Sequence, residues 1–190
     1  MACRDYYELR LKEALEKVIE WELEEPYSAN PYILGSHIAD NLEQYEKAVE
    51  FALRGLSANP KHFMLTNNLC YSLIKQNKLD EAKDCLDNCS TNLQEYELLF
   101  YNATSGLYEF KRGNIEVGRE LYYLSFKKCK ELGSERLLSK ALLNLAVAEA
   151  ESRTNEYISI SEAVLKRSEL QADDPSIFLL RKKLQNLIGP

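Results

Sequence analysis

A chain of 190 residues, 45% of them apolar and only seven glycine and five proline, can bury a continuous core and lacks the composition of a disordered or collagen-like protein. Its formal charge of -6, from 30 acidic and 24 basic side chains, disfavours nucleic acid and anionic membrane surfaces as partners. It has no uncharged apolar run of about eighteen residues, and its first residues lack the apolar stretch of a secretory signal. We therefore expect a folded, cytoplasmic protein that binds neither nucleic acid nor membrane.

The first predicted element is a single helix over about 5–24, and it carries the first member of a repeating pattern. Four small residues recur at spacings of 34, 34 and 36, namely Ala14, Ala48, Ala82 and Gly118. Pro26 and Pro60 are separated by the same step as Ala14 and Ala48. A period of this length is typical of stacked helical hairpins. The first helix aligns with the second helix of such a hairpin, so either it caps the stack or the chain is a piece of a longer protein.

Further along the chain, each small residue begins the second helix of a predicted hairpin, and Asn77 and Gly113 mark tight turns that need a left-handed residue. The predicted units span residues 5–26, 30–60, 63–93, 99–130 and 136–171, within a single repeat domain. A polar turn is expected over 151–156. Asp174 and Pro175 then predict a capping helix over 175–188, with Ile177, Leu180, Leu184 and Leu187 on its apolar face.

At these positions the sequence resembles the tetratricopeptide repeat family. The unit over 30–60 carries its pattern in Leu34, Gly35, Ile38, Tyr45, Ala48, Gly55 and Pro60. The resemblance implies an all-α fold, a right-handed superhelix of antiparallel helix pairs (an α-solenoid) with helical caps. It also implies close contacts between small residues of paired helices: Gly35 with Gly55, Cys70 with Cys89, and Gly106 with Ser125.

The resemblance further implies that one stripe of each hairpin's first helix lines a concave groove that binds a peptide or a helix. The predicted groove residues are Tyr32, Met64, Asn67, Tyr71, Ile74, Lys75, Phe100, Leu107, Phe110 and Lys111. Ser36 and Asp40 extend the stripe beside Tyr32. Such a groove would be apolar and aromatic, with Lys75 and Lys111 on one border, and would suit a segment that carries an acidic group. The alternative for each of these side chains is burial by a neighbouring helix.

Residues for catalysis or metal binding are sparse. The two histidines lie in separate units without a catalytic motif, and Cys85 and Cys89 are explained by packing better than by a metal shared with His62. We therefore expect no catalysis, no metal, no cofactor and five reduced thiols. The predicted function is a scaffold for protein or peptide partners, by itself or as the interaction segment of a larger protein. A self-associating repeat module, as a homo-oligomer, is the alternative, and an RNA-binding helical repeat is less favoured.

Overall fold

The computed structural model describes residues 2–89, 93–171 and 173–189, which contain α-helices, one short 3₁₀ turn and connecting turns, and no strands. The helices are α1 (Ala2–Tyr7), α2 (Leu11–Glu24), α3 (Ala29–Asn41), α4 (Tyr45–Ala58), α5 (Phe63–Lys75), α6 (Leu79–Cys89), α7 (Glu95–Lys111), α8 (Ile115–Glu131), α9 (Glu135–Glu151), α10 (Tyr157–Arg167) and α11 (Pro175–Ile188). Consecutive helices pack as pairs. The predicted all-α fold of paired helices is confirmed. None of the described helices is long and apolar enough to cross a membrane.

The turn inside each helix pair has the same backbone geometry. One residue per turn adopts a left-handed conformation, with φ between 51° and 84°: Leu9, Glu43, Asn77, Gly113 and Arg153. In each turn, the amide one residue further on donates to a carbonyl five residues back, as in Gln44 to Ala39 (2.9 Å) and Lys78 to Leu73 (3.0 Å). This is the Schellman arrangement, which satisfies the last carbonyls of the first helix. The left-handed turns predicted at Asn77 and Gly113 are confirmed.

The chain divides into two compact units, Met1–Asn92 and Leu93–Pro190. The first unit contains the pairs α1–α2, α3–α4 and α5–α6. Its buried cluster includes Val18, Ile38, Phe51 and Leu65, so one core runs through its successive pairs. Ala14, Ala48 and Ala82, the predicted small positions of this unit, are fully buried.

The single first helix predicted over 5–24 is wrong, because the chain breaks at Leu9 and forms the pair α1–α2. Asp5 in α1 is buried, and its carboxylate accepts hydrogen bonds from Lys17 of α2 and from Arg10. These two cations hold α1 against α2. The short α1 therefore occupies the place of the missing first helix. The sequence has no glycine or proline at the break, and a leucine in this conformation is uncommon.

The second unit contains the pairs α7–α8 and α9–α10, and α11 packs on α9. Arg119 of α8 forms a bidentate ion pair with buried Glu149 of α9 (2.6 and 3.0 Å). The predicted capping helix is confirmed at Pro175–Ile188. Asp174 is its N-cap and accepts from the amides of Ser176 and Ile177. Its four predicted apolar residues, Ile177, Leu180, Leu184 and Leu187, all lie in or against one buried cluster.

Two of the predicted close contacts between small residues are wrong. Gly35 faces the ring of Phe51 and not Gly55, since a Cβ atom at Gly35 would lie 2.7 Å from Cδ1 of that ring. Gly106 approaches Gly118, whose carbonyl oxygen would lie 3.0 Å from an added Cβ atom, and not Ser125. The helices still approach closely, but a glycine in one helix receives a large ring or a backbone carbonyl of the other.

Candidate functional site

In the first unit, α3 and α5 lie side by side and parallel. The Asn68 side-chain amide of α5 donates to Ser36 Oγ (2.7 Å) and to the Ile33 carbonyl (3.4 Å) of α3. One turn further along both helices, Ser72 Oγ donates to Asp40 Oδ1 (2.8 Å). Because equivalent points of the two helices are bonded in the same order, the faces that they leave open lie next to each other.

The open face of α5 carries three of the predicted groove residues. Met64, Tyr71 and Lys75 are half-buried and share one face at helical spacings of seven and four residues. Asn67 and Ile74 were predicted on the same stripe but are buried, with Ile74 fully enclosed. Their positions turn toward the neighbouring helices, so the open face of α5 is narrower than the predicted stripe.

On α3 two of the three predicted stripe residues are buried, and Asp40 is half-buried. Tyr32 is buried, and its hydroxyl donates to the Pro26 carbonyl (3.0 Å). Burial and the negative charge of Glu22 both raise the pKa of the Tyr32 hydroxyl. Ser36 is buried as well. Three polar residues of α3 that are half-buried or exposed, Asn30, His37 and Asn41, lie one repeat length before Met64, Tyr71 and Lys75 respectively. Subtracting the repeat length from the α5 residues would have found them.

His37 is positioned by its neighbours. Its Nε2 lies 2.9 Å from the hydroxyl of Tyr6 in α1, and the two rings pack edge to face. The Asn41 side-chain amide donates to the His37 carbonyl (3.0 Å). The imidazole is therefore held in place while its ring stays half-exposed.

In the second unit, the predicted groove residues on α7 divide in the same way. Phe100 and Lys111 are half-buried, whereas Leu107 and Phe110 lie in the core. The Phe110 ring packs edge to face on Tyr122 of α8. Lys111 Nζ donates to Glu151 Oε2 of α9 (3.0 Å), so its charge is already paired within the unit.

Comparison with known protein families gives a match over the hairpin α3–α4. The family model described as Tetratricopeptide repeat matches residues 30–62. This match supports the predicted resemblance to the tetratricopeptide repeat family over the hairpin α3–α4. The other turns share the geometry of the turn within the matched hairpin. No curated protein matches the sequence at a significant level.

A solved structure described as "MamA RS-1 ArsTM double mutant" has the same fold. The match has a TM-score of 0.56 at 20% identity and covers 91% of this chain and 93% of that one. At such low identity the likeness concerns the fold alone.

The open side chains of α3 and α5 suit recognition by contact. Asn30 and Asn41 carry amides that both donate and accept, Tyr71 and Met64 offer apolar surface, and Lys75 carries a positive charge. Among the described residues, no group of three or more His, Cys, Asp and Glu side chains is arranged to hold a metal ion. The five cysteines are free thiols.

Proposed function

We propose that this protein is a cytoplasmic, non-catalytic scaffold that binds an extended peptide segment of a partner on the α3–α5 face. We define this face as Asn30, His37, Asn41, Met64, Tyr71 and Lys75. The observation that carries the proposal is the half-exposed pair Tyr71 and Lys75, which lies beside its repeat equivalents on a parallel helix.

The chemistry of the α3–α5 face favours one kind of peptide. The side-chain amides of Asn30 and Asn41 can pair with a peptide backbone in either direction. Tyr71 and Met64 can pack against a bulky apolar side chain, and aromatic anchors contribute strongly to binding. Lys75 favours a carboxylate nearby. The expected ligand is an extended segment with a large apolar residue close to an acidic one.

Selection from a displayed peptide library on the intact protein tests this proposal. We expect the selected sequences to be rich in pairs of a large apolar and an acidic residue. Tyr71→Ala and Lys75→Glu should each weaken their binding at least about fivefold, since one anchor commonly contributes more than about 1 kcal/mol.

Lys78→Glu is the matched control, because Lys78 is exposed three residues further on and undergoes the same charge reversal. It should bind the selected peptides as the wild type does. Equal losses of peptide binding in Lys75→Glu and Lys78→Glu would show that the effect comes from the change in net charge alone. That outcome would contradict the proposed face. Failure to select any peptide would contradict the proposal as well.

A second candidate function is self-association through α8 of the second unit. Val117, Leu121 and Leu124 form an apolar stripe on this helix, and Val117 and Leu124 are 49% and 51% exposed. Acidic Glu116 lies in the first turn of α8, and basic Lys128 and Lys130 lie in its last turn. Two copies of α8 packed antiparallel would place unlike charges opposite each other, as a two-fold interface requires.

Light scattering at increasing protein concentration tests this second candidate. A dimer that Leu124→Lys abolishes, and that Tyr71→Ala leaves intact, would support it. A monomer at all concentrations would exclude it.

A further inference from the structure

Three cysteines lie where α5 packs on α6 in the first unit. Cys70 of α5 and Cys89 of α6 are buried, and Cys85 of α6 is half-buried. The Cys85 thiol donates a hydrogen bond to the carbonyl oxygen of Thr66 (3.5 Å). Thr66 precedes Cys70 by one helical turn, so the Cys85 sulfur lies along the turn of α5 that carries Cys70. The Cys70 thiol donates a hydrogen bond to the Cys85 sulfur.

The two partners differ in access and in acidity. Cys85 reaches the surface, whereas Cys70 is fully enclosed. The hydrogen bond from Cys70 lowers the pKa of the Cys85 thiol despite burial. The same bond, together with burial, raises the pKa of Cys70. Cys85 is therefore the thiol that ionises first and meets solutes, and Cys70 is the thiol next to it that stays protonated.

We propose that Cys70 and Cys85 form a peroxide-sensitive dithiol that closes to a disulfide between α5 and α6. The Cys85 thiolate attacks hydrogen peroxide, whose O–O bond breaks, to give a sulfenic acid and hydroxide, and hydroxide takes up the proton that left Cys85. The Cys70 sulfur then attacks the Cys85 sulfur, and the sulfenic oxygen leaves as water with the Cys70 proton. In total, two thiols and one peroxide give one disulfide and two waters.

Geometry favours Cys70 over Cys89 as the resolving residue. Cys85 and Cys89 are one turn apart on the same helix, where Cβ atoms are about 5–6 Å apart. A disulfide needs Cβ atoms about 3.5–4.5 Å apart, so that pair would distort α6. Cys70 approaches Cys85 from the facing helix, and the two thiols are within hydrogen-bonding reach of each other. The other two cysteines, Cys3 and Cys129, lie on α1 and α8.

The disulfide has a consequence for the α3–α5 face. Cys70 directly precedes Tyr71, so the bond would fix the helix that carries Tyr71 and Lys75 to α6. It would also close a loop of about 15 residues around the α5–α6 turn, which restricts the unfolded chain. Oxidation should therefore stabilise the first unit and not damage it.

Peptide mapping by mass spectrometry after graded hydrogen peroxide, quenching and alkylation of the unfolded protein tests the inference. In the wild type we expect two of the five thiols to become protected and one cross-linked peptide joining Cys70 to Cys85. Dithiothreitol should reverse both changes. The thermal midpoint should rise by about 5–10 °C on oxidation, the shift that a cross-link of this loop length gives in a protein of this size.

Four variants separate the roles of the cysteines. Cys85→Ser and Cys70→Ser should form no cross-link and show no rise in thermal midpoint, whereas Cys89→Ser and Cys3→Ser should behave as the wild type. Circular dichroism checks that each variant is folded, and the wild-type peptide map decides the matter if one is not. Sulfinic acid at Cys85 without a cross-link, or a cross-link from Cys85 to Cys89, would overturn the proposal.

Discussion

Gly118 illustrates how one missing side chain determines the packing of α7 on α8. A methyl group at this position would lie 2.5 Å from Cδ2 of Phe110 and 3.0 Å from the carbonyl oxygen of Gly106. The Phe110 ring is itself buried against Tyr122 and has little room to move. Position 118 therefore requires a residue without a side chain, because the Phe110 ring occupies the adjacent space and protein interiors are closely packed.

We predict that Gly118→Ala lowers the free energy of unfolding by about 1–3 kcal/mol, the usual effect of overpacking. This outweighs the gain of about 0.5–1 kcal/mol that alanine brings to a helix interior. Chemical denaturation measures the change. The double variant Gly118→Ala with Phe110→Leu should lose less stability than the two single variants added together, because leucine leaves room for the methyl group. Additive losses in the double variant would show that the two residues do not compete for space.

The sequence predicted the candidate site in part, and the reason lies in single residues. The stripe that the resemblance implies includes Tyr71 and Lys75, and the structure leaves both half-exposed on one face of α5. The resemblance could not separate Tyr71 from Ile74, since both lie on the same broad stripe and only the neighbouring helix decides which one is covered. The prediction of Ser36 on α3 failed for a different reason. The repeat length places His37, and not Ser36, at the position equivalent to Tyr71.

At the scale of elements, the five left-handed turns differ in the residues that occupy them. A Cβ atom added at Gly113 would have none of the described atoms within 4 Å, so alanine there meets no obstacle and incurs only the conformational cost. Leu9 adopts the same region with a branched side chain that is exposed. Non-glycine residues in this region carry a penalty of about 1–2 kcal/mol.

We therefore predict opposite effects at the two turns. Gly113→Ala should destabilise the protein by about 1 kcal/mol, and Leu9→Gly should stabilise it by about 0.5–1 kcal/mol after the entropy of glycine is counted. Leu9→Ala is the control, since it shortens the side chain and keeps the strain, and it should not stabilise. Denaturation midpoints measure the effect of all three substitutions. If Leu9→Ala also stabilised the protein, the effect would come from loss of the leucine side chain and not from relief of backbone strain.

The pair α1–α2 should respond to acid through Asp5. Hydrogen bonds from Lys17 and Arg10 lower the pKa of Asp5 below its usual value of 3.8. A carboxylate with a lowered folded-state pKa adds stability above its unfolded-state pKa and loses it as the pH falls through the folded-state value. Asp5→Asn should therefore be less stable than the wild type at pH 7, and the difference should shrink below about pH 4. Thermal melts over this range measure it; a difference independent of pH would contradict the ion pairing.

At the scale of the whole molecule, the division into two compact units indicates that each unit can fold independently. Each unit has its own buried cluster, one that includes Phe51 and Leu65 and one that includes Leu143 and Ile177. We predict that residues 1–92 and 93–190, expressed separately, each fold and unfold cooperatively. The summed circular dichroism spectra of the two fragments should match that of the intact chain. A fragment without cooperative melting would show that its core depends on the rest of the chain.

Because the turns inside the helix pairs share one backbone geometry, a whole hairpin can be removed from the chain or added to it. Glu43 and Asn77 hold the same backbone conformation one repeat length apart, and each follows the first helix of its pair. Removing residues 43–76 would join the end of α3 to Asn77, and the new junction would have the same left-handed turn as the old one. Duplicating that segment would add one hairpin by the same route. Gene duplication and deletion could therefore change the number of hairpins without inventing a new turn.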